Sequence, residues 1–175
     1  MRLWMLFLAL LVSGCANMQE PTYGAAEDSP FIKANYAAAD ALAKSSRTML
    51  DKSAVIIVAT LVNIDDLNTS STLGRLVSEQ LVSRLSTLGY AVKEVKLRGT
   101  LFVKSSEGEL LLSRGLKDIS ANHNAQAVVV GTYTDAGDYV YLNLKLIDTH
   151  NVVVGAHDYA LPVNKHVGKL LGRRS

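Results

Sequence analysis

Ala54-Val55-Ile56-Ile57-Val58-Ala59-Thr60-Leu61-Val62 is the run on which the reading of this chain turns. A continuous apolar stretch rich in β-branched residues is the pattern of a strand covered on both faces, since a strand with one wet face would show a polar residue at every second position. It ends in Asn63-Ile64-Asp65-Asp66, a polar turn after the strand's carboxyl end. Beyond it, Ser70 and Ser71 are suited to cap a helix in which Leu73, Leu76, Val77, Leu81, Leu85 and Leu88 recur at three- and four-residue spacing, and which Gly89 stops. Tyr90-Ala91-Val92-Lys93-Glu94-Val95 then reads as a second strand. Strand, helix and strand make a βαβ unit with a parallel pair.

Working outward, Phe31 to about Leu50 is rich in helix formers, with Ser29-Pro30 as its start signal. On the other side a short piece at Leu101-Phe102-Val103 could pair at an edge, and Leu110 to about Asn122 carries Leu112, Leu116 and Ile119 at helical spacing. Ala127-Val128-Val129-Val130 is again a buried strand. Val128–Thr134, Asp138–Ile147 and Val152–Leu161 form three strands joined by Asp135-Ala136-Gly137-Asp138 and Asn151-containing turns, a hairpin pattern. In the middle strand Val140, Leu142, Leu144 and Leu146 alternate with Tyr141, Asn143, Lys145 and Ile147, giving one buried and one more polar face. The expected architecture is a single α/β domain: a mixed sheet with a βαβ unit, a C-terminal antiparallel three-stranded meander, and helices packed on the sheet.

The N-terminus has its own logic. One basic residue, Arg2, precedes an unbroken apolar stretch from Leu3 to Val12, far short of the ~20 residues that span a bilayer. Val12-Ser13-Gly14-Cys15 follows and resembles a lipobox, in which cleavage after Gly14 leaves Cys15 to carry acyl chains. Residues 1–14 are therefore expected to be a signal peptide. Residues 15–30 hold the lipidated Cys15 and a Gln, Glu, Pro, Thr, Gly, Ser and Ala-rich tether that can extend to roughly 50 Å. The domain occupies 31–162, and 163–175 is expected to be a basic, disordered tail carrying Lys165, Lys169, Arg173 and Arg174. Cys15 is the chain's one cysteine, so no disulfide framework exists. The net charge is only +2, which gives no argument for nucleic-acid binding.

No catalytic constellation emerges. Asp65-Asp66 sits where α/β sheets often bind ligands, but neighbouring strand-end carboxylates tend to diverge, and a turn role satisfying backbone donors is the plainer reading. Arg75 and Glu79 have ion-pair spacing on the second helix, where Gly74 allows close packing; Arg75, Glu79 and Gln80, with Asp65 and Asp66, are the candidate partner contacts. His123, His150 and His157 lack partners at metal spacing, so no metal site is expected. Alternation puts His157 and Asp158 on opposite faces. Ser113 lacks a nucleophile elbow, and Gly131-Thr132-Tyr133 continues a strand and makes no phosphate loop.

The series Val58–Leu67, Leu73–Leu81, Gly89–Val95, Leu112-Ser113-Arg114, Val129–Tyr133, Val140-Tyr141, Leu146-Ile147-Asp148 and His157–Pro162 resembles the FlgO family of outer-membrane lipoproteins over Phe31 to Pro162. The resemblance implies an envelope lipoprotein associated with the outer-membrane part of the flagellum and with motility. It is also similar in outline to periplasmic lipoprotein domains that assist curli export or activate cell-wall synthases. Ala16 and Asn17 after Cys15 resemble lipoproteins sorted to the outer membrane's periplasmic face. These features lead us to expect a non-enzymatic, cofactor-free protein that binds an envelope protein partner, self-association included, through helix two or a sheet edge. A regulator of a cell-wall synthase is the alternative, and an enzyme built on Asp65 and Asp66 the remote one.

Overall fold

The structure is a computed structural model and describes residues 29–46, 50–95 and 120–173. The leader, Cys15, the tether up to residue 28, Leu101-Phe102-Val103, the helix expected up to residue 119 and Arg174 lie outside the described residues. Strand β1 (Val55–Ala59) occupies the sheet interior, and the next strands in the chain are β2 (Val62–Asn63), β3 (Val92–Val95) and β4 (Ala125–Asp135). β1 lies parallel to β3 on one side and to β4 on the other, with Ile56 opposite Val92 and Ile57 opposite Val128. Four of its five residues are buried, as a strand covered on both faces requires.

The apolar run is not one continuous strand, contrary to the expectation from its composition. Leu61 N–H donates to Ser78 Oγ at 2.9 Å, and Leu61 C=O accepts from Ser70 Oγ at 2.6 Å. Both backbone groups of Leu61 are thus satisfied by hydroxyls around the following helix, and pairing resumes only at β2, against Thr132 and Tyr133.

Helix α1 (Pro30–Ser45) begins with Ser29 as cap and proline at the first position, where its missing N–H costs nothing. It ends before Leu50, at Ser45-Ser46. Helix α2 (Thr72–Thr87) is capped by Ser71, buries Leu73, Val77, Leu81 and Leu85, and gives way to Gly89 at φ +88°. The crossover from β1 through α2 to β3 is the expected βαβ unit. Both helices contribute to one core with Ile56, Val58, Val129 and the inward residues of the meander. On the opposite face of the sheet Ile57, Ala59, Ala125, Val128, Val130 and Ile147 make a second, smaller cluster.

β5 (Tyr139–Asp148) and β6 (Val153–Pro162) complete the antiparallel meander and the order β3-β1-β4-β5-β6. Val140, Leu142, Leu144 and Leu146 face the helices, while Tyr139, Tyr141 and Lys145 face out. Gly137 at φ +87° turns the first hairpin.

The tail departs from expectation. Residues 165–171 form helix α3 (Lys165–Leu171), with Asn164 Oδ1 accepting from the His166 and Val167 amides at 3.0 and 2.9 Å. The basic composition hides an apolar stripe: Val167 is buried, and Val163, Leu170 and Leu171 pack against the main core. Arg173 then forks onto the Asp135 carboxylate and donates to Gly137 O at 2.7 Å. The guanidinium holds the Asp135 carboxyl below the usual carboxylate range. A depressed folded-state pKa contributes stability above the unfolded value near 4 and loses it as pH falls through the folded value. We therefore expect α3 amides to lose hydrogen-exchange protection on acidification below about pH 4, and Asp135→Asn to reproduce that loss at neutral pH. Equal protection of α3 in Asp135→Asn and the native chain would contradict this anchoring role.

Candidate functional site

The turn after β2 is held at its base and free at its tip. Asn63 N–H donates to Thr69 O at 2.9 Å and Ile64 N–H to Tyr133 O at 3.0 Å. The Tyr133 hydroxyl accepts from Ser71 N–H at 2.7 Å, so one tyrosine of β4 pins both the turn and the start of α2. Gly74 completes this junction, because a Cβ there would lie 2.6 Å from Leu61 O. Asp66 Oδ1 accepts from Asn68 N–H at 3.1 Å, the turn role read from the sequence. Asp65 and Asp66 are both exposed, and Asp65 N–H donates to Asn63 Oδ1 at 3.0 Å.

Ile64 carries this turn onto the outer face of the sheet. There an open groove of about 490 Å³ is lined by Ile64, Thr132, Thr134, Tyr141, Asn143 and Asp158, with Ala160 beyond them. The register explains the grouping: Thr132 is opposite Asn143, Thr134 opposite Tyr141, and Asn143 opposite Asp158. The outer face of β4 changes character along its length, from Val128 and Val130 in the second cluster to Thr132 and Thr134 in the groove. Sequence reading placed Tyr141 and Asn143 on a polar face but missed the groove, since its rim residue Ile64 comes from a distant segment.

Helix two contributes less than expected. Arg75 turns back to Ser70 O and Thr72 Oγ1, each at 3.2 Å, and among the described residues it makes no ion pair with Glu79. Gln80 points inward. Its Oε1 accepts from the Asn35 amide at 2.6 Å, and Asn35 Oδ1 accepts from the Tyr159 hydroxyl at 2.7 Å. Asn35 is fully buried, and burial raises the Tyr159 pKa above its ordinary value. This chain of polar groups ties α1 to α2 and β6 and is structural. Tyr159→Phe removes the donor to a buried amide oxygen and should cost about 1–3 kcal/mol in chemical denaturation; an unchanged midpoint would show the bond contributes nothing. Arg84 makes the bidentate pair, with Asp40 at 2.8 and 2.9 Å, and this pair holds the Asp40 carboxyl below its usual range.

The free edge of β6 is blunted. Val163 N–H donates to Asp138 O, so from Gly155 to Pro162 the odd-numbered residues of β6 bond to β5 and the even-numbered ones turn outward; the register shift at Leu146/Ile147 ends this parity before Val153. Of these, Ala156 N–H is taken by Ser45 Oγ at 3.1 Å and Pro162 has no N–H. These two features interrupt the row of edge groups between Gly155 and Pro162, where Asp158 and Ala160 have no further strand beside them among the described residues.

The histidines are dispersed: His123 lies 3.0 Å from Lys93, His150 beside Asp148 at 3.7 Å, and His157 stacks on Tyr159. His157 and Asp158 indeed face opposite sides, with Asp158 accepting from the Asn143 amide. Among the described residues no group of three metal-ligating side chains converges, and no helix is long and apolar enough to cross a membrane.

A mixed sheet with helices packed on it and a meander at one side is the α/β fold also found in the LpoB C-terminal domains from Salmonella enterica and Escherichia coli. The first is 14% identical with a TM-score of 0.52, the second 12% identical with a TM-score of 0.52; each comparison covers 77% of this chain and 100% of the other. At such identity the likeness concerns the fold alone. The family profile described as FlgO protein matches residues 36–166, and the chain belongs to the FlgO family. No curated protein sequence matches it.

Proposed function

We propose that this chain is a lipid-anchored protein of the outer membrane's periplasmic face, which acts without catalysis by binding envelope components and supports flagellar outer-membrane structure and motility. The observation that carries the reading is FlgO family membership over residues 36–166, in a chain whose sequence opens with a lipobox-like leader ending at Cys15. Binding is supported by the polar and aromatic groups that line an open face.

Two or three acyl chains hold a protein durably at a bilayer, whereas one gives only marginal attachment. The native protein should incorporate labelled palmitate and Cys15→Ala should incorporate none. Undiminished palmitate labelling of Cys15→Ala would refute anchoring through this residue. A second reading, regulation of a cell-wall synthase, rests on the similarity in outline to periplasmic lipoprotein domains of that kind. It predicts stimulated glycan polymerisation when the purified protein is added to such a synthase.

A further inference from the structure

Tyr139 and Tyr141 stand side by side on the outer face of β5, 48% and 53% exposed, with ring centroids 6.4 Å apart and planes tilted by 36°. β5 is bonded to a neighbour along both edges, so the rings stand on backbone that is already ordered. Beside Tyr141 on that face, the Asn143 amide donates to Asp158. That bond fixes two planar polar groups and leaves an amide N–H, the amide oxygen and the second carboxylate oxygen for an outside ligand. Thr132 and Thr134 add hydroxyls on one side, and Ile64, 54% exposed, closes the rim.

Aromatic plates next to fixed planar donor–acceptor groups, on a flat and open surface, match the chemistry of an extended sugar chain. The C–H faces of successive pyranose rings stack on aromatic rings, and vicinal hydroxyls bridge to amide and carboxylate atoms. A strongly basic protein segment fits less well, since Asp158 is engaged by Asn143 and Lys145 shares the outer face. We infer that this face binds a strand of β-linked pyranoses, the glycan of a cell-wall polymer. The inference rests on the envelope reading above, which is what brings such a strand within reach.

The test uses the full chain in detergent and tetra-N-acetylchitotetraose, read by saturation-transfer NMR. Saturable transfer should be strongest at the axial ring protons. Tyr141→Ala and Asp158→Ala, both at exposed positions, should each weaken binding roughly tenfold or more, while Lys145→Ala leaves it unchanged; thermal melts confirm that the variants are folded. No saturable transfer to the folded native chain would overturn the inference, as would undiminished affinity in Tyr139→Ala/Tyr141→Ala or displacement of the sugar by oligo-lysine. An anchored protein that co-fractionates with envelope structures but binds no glycan defeats this inference alone. Glycan binding by a protein that proves not to be membrane-anchored supports the site and defeats the envelope reading.

Discussion

Gly74→Ala will lower the thermal midpoint by roughly 8 °C, although alanine is the better helix former. The gain in helix propensity is about 1 kcal/mol. Against it, the new Cβ would lie 2.6 Å from Leu61 O, 2.6 Å from Ser70 Oγ and 2.9 Å from a ring carbon of Tyr133. None of these can swing aside: Leu61 O and Ser70 Oγ are hydrogen-bonded to each other, and the Tyr133 hydroxyl holds Ser71 N–H. Overpacking costs about 1–3 kcal/mol and sometimes more; with three atoms under 3.0 Å the upper end applies, and about 3 less the gain of about 1 leaves a net loss near 2 kcal/mol, at roughly 4 °C each for a domain of this size. Gly168→Ala in α3 is the control. Its nearest neighbours would be 3.7 and 3.8 Å away, ordinary contacts, so that substitution should be neutral or stabilising. Equal melting curves for the two variants would show that the α2–β1 junction tolerates expansion.

Leu81→Ala should cost about 3 kcal/mol. Leu81 is fully buried in the middle of α2, within the core shared by α1, α2 and the sheet. Removing its branched end leaves a void in a close-packed interior that relaxes only partly to fill it. Stability of a domain this size is on the order of 5–15 kcal/mol, so the variant remains folded and its denaturant midpoint drops sharply. Leu76→Ala, at a half-exposed position of the same helix, should lose far less.

The elements that sequence reading recovered are those whose pattern is local. The leucine stripe of α2, the alternation in β5 and the turn at Gly137 each announce themselves within a dozen residues. Two departures have different causes. The break at Thr60-Leu61 is invisible in a continuous apolar run because it is made by Ser70 and Ser78, nine and 17 residues further on. Helix α3 was masked by Lys165, Lys169 and Arg173, yet the Val163, Val167, Leu170 and Leu171 spacing, the Asn164 cap and Gly172 at φ +87° were its signals. At the candidate site, Asp66 was legible as a turn residue. The bond that Gln80 makes to Asn35, and through it to Tyr159, was not legible, because only the fold brings those residues beside it. The outer-face groove could not be assembled at all from sequence, since it joins Ile64 to three strands up to a hundred residues away.

The most direct test of the proposed role compares a gene deletion and a Cys15→Ala strain with the native strain, scoring swimming and the presence of the protein in purified flagellar basal bodies. The account predicts that the native protein co-fractionates with basal bodies and that both changes impair swimming. Normal swimming in both strains, with the native protein absent from basal bodies, would contradict it and favour the cell-wall synthase reading.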